Sequence, residues 1–116
     1  MDGGTMRKSS TSDLLIEETL DKFQKITPVF TVLADENRQA IVMALGKYDE
    51  LNVKTLDEMI PLSRPAISHH LKILKQAGIV GSKKQGTENN YYLTIKSAIE
   101  DVRRLCDLIE ESCKLV

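Results

Sequence analysis

Tryptophan is absent from this 116-residue chain, and phenylalanine and tyrosine together make up only 4% of it. Because 41% of the residues are nevertheless hydrophobic, the core must be built from aliphatic side chains. The length suits about one domain, and a core of that size leaves little stability to spare. Burial of further apolar surface between two copies of the chain is therefore expected.

Long apolar runs are also missing, and none approaches the roughly 20 residues needed to cross a bilayer. The N-terminal stretch is polar, rich in serine and threonine, and lacks the apolar segment of a secretory signal. We therefore predict a soluble, cytoplasmic protein with no membrane partner. Residues 1–11 are predicted to be a disordered segment, and residues 12–116 to form one domain.

Motifs of catalysis are absent as well. The chain has no G-x-S-x-G sequence, no glycine-rich phosphate loop, and no histidine placed with a cysteine or serine and an acid. We predict that the protein is not an enzyme and uses no cofactor.

Charge is unevenly distributed along the chain. Residues 61–96 contain six basic residues and a single acidic one, Glu88, a net charge of +5. The rest contains ten basic and sixteen acidic residues, a net charge of -6. A basic segment in an acidic chain localises attraction for phosphate, although a solvated surface gives the same pattern.

The periodicity of apolar residues predicts helices followed by a hairpin and one further helix. A first helix is predicted to end near Ile26, followed by a short helix starting at Thr27–Pro28 and a helix from Arg38 that Asp35 caps and Gly46 ends. A short helix 56–60 capped by Thr55 and a helix 64–77 capped by Ser63 come next. A hairpin of residues 79–85 and 90–95 around the turn 86–89 then leads to a last helix, which a capping box at Ser97–Glu100 opens. The predicted fold is mainly α with a small β-hairpin: a winged helix-turn-helix.

Residues 64–77 form the second helix of the predicted helix-turn-helix. At 100° per residue, Ile67, Leu71 and Leu74 fall on one side and must face the core. The opposite side is polar and cationic, and no acid occurs between Ser63 and Gly86. Such a side suits the major groove of DNA. The residues predicted on it, with the N-terminal end of the helix, are Ser63, Arg64, Pro65, Ser68, His69, Lys72 and Gln76.

The hairpin supports the same interpretation, because Lys83 and Lys84 stand beside its glycine-containing turn. Basic wings follow the phosphate backbone or touch the minor groove. Tyr91 and Tyr92 alternate faces in the returning strand, so one is expected to pack on the helix and the other to reach a phosphate; stacking on single-stranded bases is an alternative.

Two stretches carry a resemblance to a known family: Leu33–Ile41, which begins L-A-D-E-N-R, and Leu62–Val80, which contains S-R-P-A-I-S-H-H-L-K-I-L-K-Q-A-G. Together they closely resemble the ArsR/SmtB family of winged-helix repressors, over roughly residues 25–112. The resemblance implies homodimers paired through the first and last helices, an imperfect inverted-repeat operator, and release of DNA when an effector binds. It implies DNA contacts by Ser63, Arg64, Ser68, His69 and Lys72, while His70 is interpreted as structural.

Many members of that family sense metals, yet neither of its metal sites matches this chain. The helix before residues 64–77 has no cysteine, and the last helix offers acids but no histidine. We predict no metal site. The last helix carries apolar residues and both cysteines at alternating spacings of three and four, which predicts a dimer seam. With the apolar stripe of the first helix, the predicted dimer residues are Ile16, Leu20, Ile99, Val102, Cys106, Ile109 and Cys113.

These observations predict a sequence-specific regulator of double-stranded DNA, acting as a repressor whose effector is unknown. Four alternatives stay open. The winged helix could serve as a protein-interaction module or bind nucleic acid without sequence preference, Cys106 and Cys113 could form a redox or thiophilic-metal sensor, and the chain could have no effector at all. If the cysteines of the seam have only a structural role, each is simply a small buried hydrophobic residue.

Overall fold

The computed structural model describes residues 11–113, with side chains from residue 13 onward. Its elements are α1 (Thr11–Leu33), α2 (Glu36–Tyr48), α3 (Val53–Met59), α4 (Arg64–Gln76), β1 (Val80–Gln85), β2 (Glu88–Leu93) and α5 (Lys96–Ser112). The predicted disordered segment falls on residues outside the described range, apart from Thr11, which begins α1. Between residues 11 and 113, no helix combines the length and apolar character of a membrane span.

α1 is one helix of 23 residues, so the predicted break at Thr27–Pro28 is wrong. Proline has no amide N–H and weakens a helix interior. On either side of it, however, Ile26 is 1% exposed and Val29 is 9% exposed, and the Thr27 hydroxyl donates to the Phe23 carbonyl at 2.6 Å. Burial of the flanking side chains explains why the helix continues through Pro28.

The main core lies where α2, α3 and α4 meet the start of the hairpin. Ile67, Leu71 and Leu74 are fully buried there, which confirms the inward side predicted for α4. The other members are aliphatic as well: Val29, Ile41, Ala44, Leu45, Leu56, Ile60, Ile79 and Val80.

Two helix ends in this core differ from prediction. The Asp35 side chain caps α2 as predicted, by accepting from two backbone N–H groups. Gly46 lies inside α2 rather than ending it, because the helix packs there against Leu93 of β2. Asn52, not Thr55, caps α3, and its side chain accepts the Thr55 N–H at 2.8 Å. The packing of α2 and the choice between neighbouring caps depend on tertiary contacts.

β1 and β2 pair antiparallel, from Val80 opposite Leu93 to Gln85 opposite Glu88. The loop is therefore only Gly86 and Thr87, shorter than the predicted four-residue turn. Gly86 has a φ of 64°, which the first position of a tight type II′ turn requires. Leu51 joins the hairpin edge through two backbone hydrogen bonds with Tyr91, of 3.1 and 2.8 Å.

α5 begins at Lys96 without a side-chain cap, so the predicted capping box at Ser97 is wrong. The chain before it is fixed to the base of the hairpin, because the Thr94 N–H donates to the Ile79 carbonyl at 2.8 Å and its hydroxyl to the Gly78 carbonyl at 2.9 Å. This attachment places the start of the helix ahead of the serine.

α5 returns antiparallel along α1. Lys22 pairs with Asp101 at 3.0 Å, and Arg104 contacts Glu18 through Nε at 3.2 Å. Leu105 and Leu108 of α5 are 4% and 0% exposed. The described chain is elongated, 62 × 28 × 24 Å.

Candidate nucleic-acid interface

The outer side of α4 is open to solvent along its whole length. Ser63 caps the helix by accepting the Ala66 N–H at 3.3 Å, and Pro65 occupies its first turn. The structure brings together every α4-region residue predicted at DNA, all of them exposed: Ser63, Arg64, Pro65, Ser68, His69, Lys72 and Gln76. We call these seven residues the α4 face.

His70 differs from its neighbour His69, which is exposed. The His70 ring is partly buried, with Nδ1 3.2 Å from Nη1 of Arg38. Arg38 in turn donates from Nε to the Val32 carbonyl at 2.6 Å. His70 therefore connects α4 to α2, in agreement with the structural role predicted for it.

Lys83 and Lys84 are exposed on β1 of the wing. Successive strand residues point to opposite faces, so the two ammonium groups leave opposite sides of the hairpin. Lys83 Nζ lies 2.6 Å from Glu50 Oε2, and this hydrogen bond, with the carboxylate charge, raises the pKa of Lys83. Lys84 has no ion pair with any residue in the described part of the chain.

Sequence reasoning missed the acids that border this surface. No acid occurs between residues 63 and 86, but Asp57 of α3 accepts a 2.8 Å hydrogen bond from Nε of Arg64, and Glu50 reaches Lys83. Both acids lie in the segment leading into α4. Their place shortly before α4 was the only feature of the sequence that could have predicted this contact, since the turn of a helix-turn-helix folds the two helices together.

A polar groove of about 220 Å³ lies between α3, α4 and the wing, lined in part by Asn52, Lys54, Ser68 and Tyr91. The Asn52 side chain donates to Glu88 at 3.0 Å. This contact ties the start of α3 to β2 and helps to set the wing beside the α4 face.

Comparison with known proteins identifies the chain. The profile of the family described as bacterial regulatory protein, arsR family, matches residues 35–82, the segment from the α2 cap into the wing. A helix-turn-helix-type transcriptional regulator of Methanocaldococcus jannaschii is 33% identical over 88 residues, covering 76% of this chain and 98% of that protein. The chain belongs to the ArsR family of transcriptional regulators.

Two further likenesses support this assignment. An ArsR-like transcriptional regulator from Rhodococcus sp. RHA1 superimposes with a TM-score of 0.69 at 31% identity, covering 77% of this chain and 83% of that one. The arsenical resistance operon repressor of Escherichia coli is 39% identical over 66 residues, covering 57% of this chain and 56% of the repressor. The predicted family and winged-helix fold are confirmed, and this ArsR-family chain is a DNA-binding transcriptional regulator, not an enzyme.

Apart from the α4 face and the wing, this regulator exposes an apolar surface on α1 and α5. Ile16, Leu20 and Phe23 of α1 and Ile99 of α5 are 41–57% exposed. α5 therefore has two apolar sides, because Leu105 and Leu108 face α1 within the chain. The predicted seam residues Ile99, Val102, Cys106, Ile109 and Cys113 are all exposed or partly exposed. An open apolar groove of about 270 Å³ lies at the N-terminal end of this seam, lined in part by Phe30, Ile99 and Val102.

The thiols of Cys106 and Cys113 are free and exposed in the single chain. They lie seven positions apart along α5 and its C-terminal cap, a separation of about 10 Å, which is too far for a disulfide within one chain. Within the described residues, no three histidine, cysteine or acidic side chains come close enough to hold a metal ion.

Proposed function

We propose that this regulator is a homodimeric repressor that binds an imperfect inverted repeat of duplex DNA in the cytoplasm and is released by an effector. The observation that carries the proposal is the α4 face, which is exposed, free of acids in its own sequence, and flanked by a basic wing. Its geometry suits insertion between the two phosphate backbones of a major groove.

The residues of this surface divide into two roles. Ser63, Arg64, Ser68 and His69 lie toward the N-terminal end of α4, which recognition helices present to base edges. Lys72 on α4 and the two wing lysines are suited to phosphates, which fix the position of the protein without reading sequence. Pro65 and Gln76 lie on the same face and extend its contact with the groove.

The apolar surface of α1 and α5 supports the dimer. Side chains as large as Leu20 and Phe23, 57% and 43% exposed in one chain, favour burial against a second copy. The proposed interface consists of Ile16, Leu20, Ile99, Val102, Cys106, Ile109 and Cys113. Two α4 faces in one dimer would then meet half-sites about 34–36 Å apart.

The proposal is tested by selecting bound duplexes from a random pool and titrating variants against the recovered operator and a scrambled duplex. Arg64→Ala and His69→Ala should relax sequence choice, since each removes a base contact. Lys83→Ala with Lys84→Ala should weaken binding to both duplexes alike and reduce the salt slope by about two. Lys25→Ala, which removes an exposed cation of α1, serves as the control.

If all these variants bind both duplexes like the parent, the assigned surface is wrong. Binding that is insensitive to salt and sequence would instead support the alternative of a protein-interaction module.

A thiol sensor is the second candidate, favoured by the exposure of Cys106 and Cys113 on the proposed dimer surface. Each thiol would then meet its mate across the two-fold axis and form a disulfide under oxidation. Diamide treatment followed by non-reducing electrophoresis should give a dimer band and a change in operator affinity. The Cys106→Ser/Cys113→Ser variant is the control, and absence of both effects in the parent would rule this sensor out.

A further inference from the structure

The cations bordering the DNA surface differ in how they are held. Arg64 is the first residue of α4, and its Nε donates to Asp57 Oδ2 at 2.8 Å. The arginine side chain is 58% exposed and the aspartate 30% exposed, so the carboxylate is the better-packed partner. Because Asp57 takes the Nε–H, both Nη groups of Arg64 remain available to DNA.

The other ion-paired acid at this surface acts on a different kind of cation. Glu50 contacts Lys83, whose ammonium is a compact charge with freely rotating donors. A carboxylate beside Lys83 reduces the local positive charge but does not fix the orientation of the ammonium group. A guanidinium is planar, and a bond to one of its edges fixes the orientation of the others. Of these two cations, only Arg64 has its orientation fixed by its acidic partner.

We propose that Asp57 is a specificity-determining positioning residue, which fixes the Arg64 guanidinium so that its Nη groups read a base edge rather than bind a phosphate. This inference rests on the proposed function, because it assumes that Arg64 lies at DNA. A paired contact with the two acceptors of a guanine edge requires the guanidinium plane to be held. An unrestrained arginine reaches phosphates of any sequence.

Removal of Asp57 has two consequences that can be separated. Loss of one negative charge strengthens binding to every duplex by a similar factor, since long-range attraction carries no sequence information. Loss of the fixed Arg64 orientation instead weakens binding to the operator relative to binding to other duplexes. The ratio of operator affinity to scrambled-duplex affinity isolates the second effect.

Glu58 provides a matched control. It is the next residue of α3, it is exposed, and it pairs with no described side chain. Glu58→Ala removes the same charge from the same helix without touching Arg64. Asp57→Asn removes the charge but keeps a carbonyl oxygen that can still accept the Nε–H.

The experiment measures the affinities of Asp57→Ala, Asp57→Asn, Glu58→Ala, Arg64→Ala and the Asp57→Ala/Arg64→Ala pair for the selected operator and a scrambled duplex at one salt concentration. We expect Asp57→Ala to lower the affinity ratio about tenfold, Glu58→Ala to leave it unchanged, and Asp57→Asn to fall between the parent and Asp57→Ala. The double variant should lose no more of the ratio than Arg64→Ala alone. Circular dichroism checks that each variant is folded.

An Asp57→Ala variant that keeps the parental ratio would overturn the inference, as would additive losses in the double variant. Failure of the proposed function looks different, because Arg64→Ala would then bind both duplexes like the parent. If Arg64→Ala relaxes specificity while Asp57→Ala behaves like Glu58→Ala, the proposed function stands and the positioning role fails.

Discussion

Apolar side chains differ in exposure between two regions of the chain, the unit from α2 to β2 and the pair formed by α1 and α5. In the first, Ile67, Leu71 and Leu74 are completely buried within one chain, and the outer side of α4 is polar. In the second, Leu20 is 57% exposed and Phe30 50% exposed, although α1 and α5 already pack together. The first unit completes its core within the chain, whereas the helix pair leaves apolar surface exposed.

This contrast separates two kinds of contact in one small protein. A polar, cationic face suits DNA, whose phosphates reward charge and whose base edges reward hydrogen bonds. An apolar face suits a second copy, since its burial is favourable in proportion to the area removed from water. The predictions below begin with the largest expected effect.

Leu71→Ala should cost about 2–5 kcal/mol of unfolding free energy, because it removes a buried side chain from a closed core. Met43→Ala, at a residue of α2 that is 71% exposed, should change stability by less than about 0.5 kcal/mol. Urea unfolding at one protein concentration measures both. Equal losses would show that the α2–β2 unit does not hold its own core.

Leu20→Lys and Ile99→Lys should each weaken self-association at least about tenfold, because each places a charge in the proposed dimer interface. Operator affinity should fall with it, while the helical content stays that of the parent. Sedimentation over a range of concentrations gives the dimer dissociation constant. Met43→Lys introduces the same charge at another exposed apolar position and should leave association intact; unchanged association in all three variants would refute the interface.

Glu50→Gln should raise affinity for operator and scrambled duplex alike, by about two- to threefold. The change removes the carboxylate charge that attracts the Lys83 ammonium at 2.6 Å and repels phosphate. Titration of both duplexes measures it, and in a Lys83→Ala background most of the gain should disappear. A gain confined to the operator would contradict the purely electrostatic role of Glu50.

Asp35→Asn should give the smallest effect, and the effect should disappear in acid. The N–H of Arg38, and then its positive charge, lower the pKa of Asp35 in the folded protein below its usual 3.8. The ionised cap therefore stabilises the fold above the unfolded pKa, and this contribution is lost as pH falls through the folded one. Asparagine also caps helices, so thermal unfolding of parent and variant should differ above about pH 4 and converge below it.

Some local features were readable from the sequence, although the caps predicted at Thr55 and Ser97 were wrong. The caps at Asp35 and Ser63 and the inward side of α4 were predicted correctly, because caps and helical periodicity act over a few residues. The continuation of α1 through Pro28 was missed, since it depends on the burial of Ile26 and Val29 against other elements. The same holds for Gly46, which stays helical where α2 packs on Leu93.

The candidate site shows the same limit. Its cations were visible as a charge pattern, but its acids were not, since Asp57 and Glu50 precede the basic segment and reach it only through the fold. The choice between His69 and His70 was predictable from the helical wheel, whereas the Arg38 contact that occupies His70 was not.

Sequence alone determined the order of elements from α2 onward, the family and the polar outer side of α4, because residue type and short spacings encode them. Tertiary structure alone decided which acid meets which cation and which apolar side of α5 stays uncovered. These contacts join residues distant in the chain, and their geometry exists only once the helices have packed.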